Sequence, residues 1–205
     1  MKTFKCLLAV IMVSVLTFSC ASAGGGGGAS SAEPRGVVFS WDFDDPAAGT
    51  AGWEIAEGEF WDYKGTAALS WDGTTLGNGM LKFDVDFTRD SNSEWSEPKI
   101  KYAFAEPLDM TGVRNFTFDI YYNPEFSTRG SFNSKVIVLT GTRSMADASG
   151  NLINAKEDAG NGYLKATVTL RITRVVNPID NMVFSIAGYL TNYKGPVFFD
   201  NMRWD

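Results

Sequence analysis

The sequence predicts an all-β domain, a sandwich or jelly roll, and three observations carry that prediction. Hydrophobic and polar residues alternate along most of the chain after residue 36, which is the period of a β-strand. Turn signals separate these runs at short intervals, among them Asp72-Gly73, Gly77-Asn78-Gly79 and Gly160-Asn161-Gly162. No run has the 3.6-residue period of a long amphipathic helix. Many short strands with frequent turns are typical of sandwiches and jelly rolls.

Eight runs alternate in this way and are predicted to be strands, in chain order 38–43, 80–87, 98–104, 115–122, 135–140, 164–172, 182–186 and 197–200. Trp41 and Trp204 are in phase with the core positions of the first and last runs, and Trp53 is expected to pack over the core edge. The segment 143–158 contains a Gly-Asn pair that would interrupt a helix, so it is predicted to be a long loop. The inward phenylalanines should form the core: Phe39, Phe43, Phe83, Phe87, Phe116, Phe118 and Phe199.

The N-terminal segment has the pattern of an export signal. Lys2 and Lys5 precede an apolar run over residues 6–18 that is too short to span a bilayer comfortably. Two cleavage patterns compete at its end, because Ala21-Ser22-Ala23 suits signal peptidase I while Leu-Thr-Phe-Ser-Cys, ending at Cys20, resembles a bacterial lipoprotein signal. We predict a secretory or lipoprotein signal peptide over 1–23, with Cys20 as the lipidation site in the second case.

The segment 24–35 is rich in glycine, serine and alanine and is predicted to be a flexible linker. Residues 36–205 then form one domain, since this length supports a single well-buried core. The protein is expected to be exported, either as a cell-surface or periplasm-facing lipoprotein or as a freely secreted protein.

Cysteine and charge restrict the expected partners. Both cysteines lie within the first 20 residues, so no disulfide framework is predicted for the domain. The formal charge of −6 becomes −8 if Lys2 and Lys5 are removed with the signal. An acidic surface argues against nucleic acid or anionic lipid as a partner, which leaves an N-terminal lipid anchor as the one expected contact with a membrane.

The absence of histidine from the sequence excludes several kinds of site. It removes Ser-His and Cys-His nucleophiles, histidine metal sites and the usual general base near neutral pH. A glycosidase with two catalytic carboxylates is still compatible with the composition. No predicted central strand places two of the glutamates on one face, however, and surface solubility explains most of them. The candidates are Glu54, Glu57, Glu59, Glu94, Glu97, Glu106, Glu125 and Glu157.

Aromatic residues give the stronger signal, since 14% of the chain is Phe, Trp or Tyr. Trp61, Trp71 and Trp95 stand beside polar residues in predicted loops or strand edges. An indole ring offers an apolar platform to the C–H face of a pyranose, while nearby polar side chains bind its hydroxyl groups. Partial burial in the core is the ordinary alternative for each tryptophan taken alone. Trp61 and Trp95 are predicted to be the exposed pair.

Two carboxylates at the start of the domain pose a separate question. Asp42 and Asp44 are two residues apart on a predicted strand and would therefore share a face. Like charges at this spacing repel unless water, a basic partner or a cation relieves them.

Three segments resemble a known family of noncatalytic carbohydrate-binding modules with a galactose-binding-like jelly roll. They are Trp41-Asp42-Phe43-Asp44-Asp45 with Gly52-Trp53-Glu54, the middle element 95–100 (Trp-Ser-Glu-Pro-Lys-Ile), and the closing strand 196–203 (Pro-Val-Phe-Phe-Asp-Asn-Met-Arg). Among such modules the chain is most similar to the family 27 mannan-binding modules of bacterial β-mannanases. The resemblance covers residues 36–205.

The resemblance implies a structural calcium ion where the first and last strands meet, held by Asp42, Asp44 and Asp200, with Asp45 as a substitute for Asp44. Oxygen ligands of this kind suit a hard cation. It also implies about three aromatic platforms in a groove. Trp61 and Trp95 match two of them, and the third is Tyr121, Tyr63 or Phe126.

The resemblance implies binding of β-1,4-mannan-type polysaccharide, such as manno-oligosaccharides, galactomannan or glucomannan, at the cell surface or outside the cell. Separate glycoside hydrolases or transporters would receive the captured glycan. The alternatives are a small β-sandwich glycoside hydrolase, a module for xylan or β-glucan, and a structural envelope lipoprotein. Strand phase predicts further polar contacts to sugar hydroxyls from the face opposite the core, at Lys99, Lys101, Asp119, Tyr121, Asn123 and Arg171.

Overall fold

A computed structural model describes residues 36–56, 63–89, 95–140, 143–149, 153–172 and 177–205. These residues fall in one compact unit of the chain. Within them the regular structure consists of strands and three short 3₁₀ turns, and the predicted all-β sandwich is confirmed. The strands are β1 (Phe39–Ser40), β2 (Glu54–Ile55), β3 (Ala67–Asp72), β4 (Met80–Asp86), β5 (Lys99–Leu108), β6 (Asn115–Tyr122), β7 (Ser131–Thr140), β8 (Arg143–Ser149), β9 (Glu157–Gly160), β10 (Tyr163–Arg171), β11 (Ile179–Tyr189) and β12 (Lys194–Trp204).

The strands form two antiparallel sheets. The seven-stranded sheet has the order β3-β4-β12-β6-β10-β9, with β1 paired to the end of β12, and the five-stranded sheet has the order β2-β5-β11-β7-β8. Consecutive strands mostly alternate between the two sheets, as in a jelly roll. The first and last strands are neighbours, since Phe39 lies opposite Trp204.

Four strands were not predicted from the sequence. The segment 143–158, expected to be a long loop, contains β8 and the first two residues of β9, so that prediction is wrong. β2 is only two residues long, and β3 at the sheet edge alternates intermediate with exposed residues instead of burying one face. β2, β3 and β9 bury little apolar surface, and a hydrophobic period is therefore weak in their sequences.

The core between the sheets is largely aromatic. Phe184 of the five-stranded sheet lies 5.6, 4.8 and 5.1 Å from the ring centres of Phe116, Phe118 and Phe199 of the seven-stranded sheet. Trp41 and Trp204 are buried as predicted. Trp53 is also inside the core rather than over its edge, with its ring 5.1 Å from that of Trp41.

A second, smaller apolar cluster lies on the outer face of the seven-stranded sheet. It consists of Met80, Tyr121, Tyr163 and Phe198, with Leu76 and Ala159 packed against it. The loop after β3 contacts the β9–β10 turn here, because the Asn161 side-chain amide donates a hydrogen bond to the Thr75 carbonyl. This part of the outer face is therefore covered by the chain itself. Within the described residues, no helix has the length and apolar character needed to span a membrane.

Candidate functional site

The outer face of the five-stranded sheet carries rows of side chains that run across β5, β11 and β7. Ser185 lies opposite both Lys99 and Lys135, Val183 lies opposite Lys101 and Ile137, and Ala187 lies opposite Asn133. Residues in the opposite phase, such as Phe184, point into the core. From Val183 to Tyr189 this face extends for about 20 Å along β11, at ~3.3 Å per residue.

Two exposed aromatic residues stand at one end of this face. An isolated β-bridge joins Ser96 to Gly188, with N–H to O distances of 3.1 and 2.8 Å in the two directions. The bridge places their neighbours Trp95 and Tyr189 side by side, with ring centres 5.5 Å apart. Trp95 is 52% exposed and Tyr189 37% exposed. We call these two residues the aromatic pair.

Charged residues occupy the same face beyond the aromatic pair. The Lys99 ammonium lies 3.5 Å from a carboxylate oxygen of Glu97, and its side chain is largely buried. The Lys101 ammonium lies 3.4 Å from the Glu54 carboxylate in an exposed pair. The face thus combines an apolar aromatic surface with hydrogen-bonding groups, the composition that suits a polar ligand with apolar faces.

The structure separates the predicted polar contacts into two groups on opposite sides of the sandwich. Lys99 and Lys101 share the face of the aromatic pair, whereas Asp119, Tyr121 and Arg171 lie on the outer face of the seven-stranded sheet. Strand phase reports whether a side chain points inward or outward but does not identify its sheet, and for this reason the sequence could not separate them.

Two of the residues on the seven-stranded sheet, Asp119 and Tyr121, share Lys165 as a partner. Asp119 accepts hydrogen bonds from Thr167 and from the Asn201 amide, and its carboxylate lies 3.0 Å from the Lys165 ammonium. Desolvation raises the pKa of Asp119, but these hydrogen bonds outweigh it, and the net pKa is lowered. The same ammonium lies 5.6 Å from the ring centre of Tyr121, which is itself buried.

The structure contradicts the predicted roles of Tyr63 as an aromatic platform and of Asn123 as a polar contact. Tyr63 is 4% exposed within the core, where its hydroxyl accepts a hydrogen bond from the Asp86 N–H at 2.6 Å, so it offers no ring face to a ligand. Asn123 is buried and caps the 3₁₀ turn Pro124–Phe126 by accepting from the Glu125 N–H. Trp61, Cys20 and the predicted segments 1–23 and 24–35 lie outside the described residues.

An acidic pocket of about 450 Å³ lies where the first and last strands meet. Asp42, Asp44 and Asp200 all line it, together with Asn78. The backbone N–H of Asp44 donates to Asp42 at 2.9 Å, and the Asn78 amide donates to Asp200 at 3.1 Å. Asp45 instead caps the following 3₁₀ turn by accepting from the Ala47 N–H, which favours Asp44 over Asp45 as the pocket residue.

The electrostatics of this pocket centre on Asp200. Burial raises the pKa of the Asp200 carboxyl, and the negative charges of Asp119 and Asp44 raise it further. The residues present are hard oxygen donors of the kind that calcium prefers. In the described part of the chain, no group of three or more His, Cys, Asp or Glu side chains has the arrangement of a preformed metal site. The pocket therefore supplies suitable ligand atoms without gathering them into a complete set.

Comparison with known families decides the identity of the fold. The family model for carbohydrate binding module 27 matches residues 42–204. The chain belongs to this family. The match includes the aromatic pair and all three aspartates of the acidic pocket. No sequence among curated proteins matches this family 27 module.

Solved structures agree with the fold of this module. TmCBM27, described for specific mannan recognition, has a TM-score of 0.63 at 19% identity, covering 82% of this chain and 95% of its own. CBM27-1 of Caldicellulosiruptor saccharolyticus, in complex with mannohexaose, has a TM-score of 0.60 at 24% identity, covering 81% and 96%. CBM28, specific for non-crystalline cellulose, has a TM-score of 0.60 at 20% identity, covering 84% and 97%.

Sequence reasoning did not identify Tyr189 as part of the candidate site of this module. The strand was predicted to end at Ile186, whereas β11 continues to Tyr189. A signal was present, because Tyr189 is an even number of positions from the outward-facing Ser185 and Ala187. The intervening glycine, Gly188, concealed the continuation of the strand.

Proposed function

We propose that this module binds β-1,4-linked mannan-type polysaccharide without cleaving it, on the outer face of the five-stranded sheet. The observation that carries the proposal is the aromatic pair, an exposed cross-strand pair on a face lined with lysine, glutamate, asparagine and serine side chains. Each ring can cover the C–H face of a pyranose while polar neighbours bind its hydroxyl groups. Tyr189 takes the place of the third aromatic platform.

Membership of family 27 supports mannan as the ligand, as do the two family 27 structures described with mannan or mannohexaose. The fold does not by itself discriminate among glycans, because a cellulose-specific module has the same architecture. Xylan and β-glucan are therefore the informative competitors in a binding experiment.

The test is titration of the domain with mannohexaose and galactomannan, followed by tryptophan fluorescence and calorimetry. Removing an aromatic anchor of this kind costs about 1–3 kcal/mol in carbohydrate stacking, by analogy with base stacking and interface anchors. Trp95→Ala and Tyr189→Ala should each weaken mannohexaose binding about tenfold. Val37→Ala is the control: Val37 is an exposed apolar residue beside β1 of the seven-stranded sheet, and its loss should leave the affinity unchanged.

Binding of xylan or β-glucan in preference to mannan would overturn the choice of glycan. Release of reducing sugar from any of these polysaccharides would overturn the noncatalytic role. Two of the candidate carboxylates, Glu54 and Glu97, each lie within 3.5 Å of a lysine ammonium on this face, so they are ion-paired. Glu57, Glu59 and Glu94 lie outside the described residues.

A structural calcium ion is a second part of the proposal. Asp42, Asp44 and Asp200 would hold it in the acidic pocket, with neutral oxygen atoms completing the six to eight ligands that calcium takes. The support is that three carboxylates line one pocket: burial, and then the charges of Asp119 and Asp44, raise the pKa of Asp200, and a cation would relieve that repulsion. The ion would fasten the segment around Asp42 to the last strand.

We also propose that the protein is exported and held at the cell surface or periplasmic face by a lipid on Cys20, where it would present captured glycan to separate hydrolases. The support lies in the signal-like sequence and the glycine-rich segment behind Cys20. Cys20→Ser should release the protein from the membrane fraction into the soluble fraction. If the wild-type protein is exported but already found in the soluble fraction, the lipid anchor is contradicted and the prediction of export still stands.

A further inference from the structure

A cavity of about 460 Å³ opens next to the aromatic pair, at the end of the sandwich. Ser131 links the two features. It lies directly opposite Tyr189 in the β7–β11 ladder, on the same outer face, and it also lines the cavity. Thr191, two residues beyond Tyr189, lines the cavity as well. The candidate glycan face therefore leads into this cavity across a single pair of strands.

The lining has the composition of a sugar-binding site. Tyr122 and Phe132 supply aromatic surface, and Ser127, Thr128 and Ser131 supply hydroxyl groups. Asn154 contributes an amide at an exposed position in the lining. A volume of this size is within the ~300–1,000 Å³ range of small-molecule sites, which are typically apolar with a few placed polar groups.

The loop over residues 127–130 that forms one wall is fixed by hydrogen bonds to Asn192. The side-chain oxygen of Asn192 accepts from the Ser127 hydroxyl at 2.9 Å and from the Thr128 N–H at 3.0 Å, while its amide donates to the Thr128 hydroxyl at 3.0 Å. Gly130 has φ of +77°, and a Cβ there would come within 2.4 Å of the Thr191 backbone. The wall is thus preorganised, which lowers the entropy cost of binding a ligand.

We propose that this cavity is a subsite for one terminal hexopyranosyl residue, either the end of a bound glycan chain or a single-sugar branch on it. The inference deepens the proposed function and rests on it for the source of that sugar. Among the described residues around the cavity there is no carboxylate, and Arg129 is the one charged residue. The hydroxyl, amide and aromatic groups beside it suit the ring of a neutral sugar, whose hydroxyl groups a guanidinium can also bind. The ring face would lie against the aromatic wall and its hydroxyl groups would meet Thr128, Ser131 and Asn154.

The test is amide chemical-shift mapping of the intact domain with two probes, methyl β-D-mannopyranoside for a chain end and methyl α-D-galactopyranoside for a branch. We expect at least one probe to bind with a millimolar dissociation constant and to shift residues 127–131, Asn154 and Thr191. The probe that binds more tightly identifies the source. Asn154→Trp should fill the cavity and abolish these shifts, whereas Lys156→Trp, the same change two residues away at an exposed position outside the lining, should keep them.

The outcomes separate this inference from the proposed function. Trp95→Ala should retain the shifts while losing about tenfold in mannohexaose affinity. Shifts confined to Trp95 and Tyr189, or none at all with either probe in the wild type, would overturn the subsite even if mannohexaose binds. Binding of a charged hexuronate in preference to both neutral probes would overturn the assigned sugar class. The wild-type map decides the site even if Asn154→Trp does not fold.

Discussion

Tryptophan side chains occupy three different environments in this domain. Trp41, Trp53 and Trp204 are buried, and no described residue accepts a hydrogen bond from their indole N–H groups. Trp71 is partly buried and donates its N–H to the Phe43 carbonyl at 2.7 Å. Trp95 is more than half exposed. The same residue type therefore serves as core, as a link between β3 and the first segment, and as exposed surface.

Replacing tryptophan by alanine at two of these positions should separate stability from binding. Trp53→Ala should lower the free energy of unfolding by about 3–5 kcal/mol, because it leaves a large cavity in the core. Trp95→Ala should change it by no more than ~0.5 kcal/mol, as is usual for a surface position. Chemical denaturation of both variants measures this difference. A Trp95→Ala variant as unstable as Trp53→Ala would make Trp95 a structural residue.

Asp86 shows how a carboxylate stabilises the end of a strand within the seven-stranded sheet. It lies 2.9 Å from the Lys194 ammonium of the neighbouring strand, and it accepts hydrogen bonds from the hydroxyl and N–H of Thr88. Desolvation alone would raise the pKa of Asp86, but the hydrogen bonds from Thr88 and Lys194 lower it to about 2. The ionised form is therefore favoured in the folded state.

Thr88→Val should remove one of these hydrogen bonds with little change of shape. Because the folded pKa of Asp86 is depressed, its contribution is present above the unfolded value of about 3.8 and is lost as pH falls toward about 2. The variant should thus be less stable by about 1 kcal/mol at pH 6, a value reduced for the exposure of Thr88. Melting temperatures between pH 2 and 6 should converge at the acid end. A gap independent of pH would rule out this mechanism.

At the scale of elements, the aromatic pair depends on how two segments meet. Gly188 lies near the end of β11 and forms the bridge to Ser96 that sets Trp95 beside Tyr189. A Cβ on Gly188 would come within 2.6 Å of the Phe87 ring and 2.8 Å of the Thr191 methyl group. Glycine is required here by close packing on the inner side of the strand.

Gly188→Ala should therefore disturb both stability and the aromatic pair. Overpacking of this kind costs about 1–3 kcal/mol, and the shift of β11 should alter the fluorescence of Trp95. Gly36→Ala is the control, because a Cβ at Gly36 meets nothing within 4 Å and should be neutral. Denaturation curves and emission spectra test both effects. If Gly188→Ala were as stable as the wild type, the side chains of Phe87 and Thr191 would be able to move and make room for the added Cβ.

The strands differ in how far the sequence could predict them and the site residues that they carry. β4 and β6 were found from their period, because the side chains that they turn toward the core between the sheets are all apolar. Trp95 was identified because polar neighbours surround it. Tyr189 was missed because the predicted strand stopped before Gly188. Sheet assignment could not be predicted either, since the pairing of β5 with β11 and of β6 with β10 joins residues far apart in the sequence.

At the scale of the whole molecule, the domain brings the beginning and end of its fold together. β1 pairs with the end of β12. The indole N–H of Trp71 in β3 donates a hydrogen bond to the Phe43 carbonyl, which connects β3 to the segment that follows β1. The acidic pocket lies at this junction, with Asp42 and Asp44 on one side and Asp200 on the other. A cation in the pocket would therefore link segments more than 150 positions apart in the chain.

Calcium removal tests that link. A ligand that binds only the folded state stabilises it by about 2.7 kcal/mol at a hundredfold excess over its dissociation constant. For a domain of this size, 1 kcal/mol corresponds to roughly 2–4 °C, so a chelator should lower the melting temperature by about 5–10 °C and added calcium should restore it. Asp200→Ala should abolish the response, whereas Asp45→Ala, which alters the adjacent 3₁₀ cap, should retain it. If neither chelator nor calcium changes the melting temperature of the wild type, the acidic pocket holds no structural calcium. Water alone then relieves the repulsion between the carboxylates of Asp42 and Asp44.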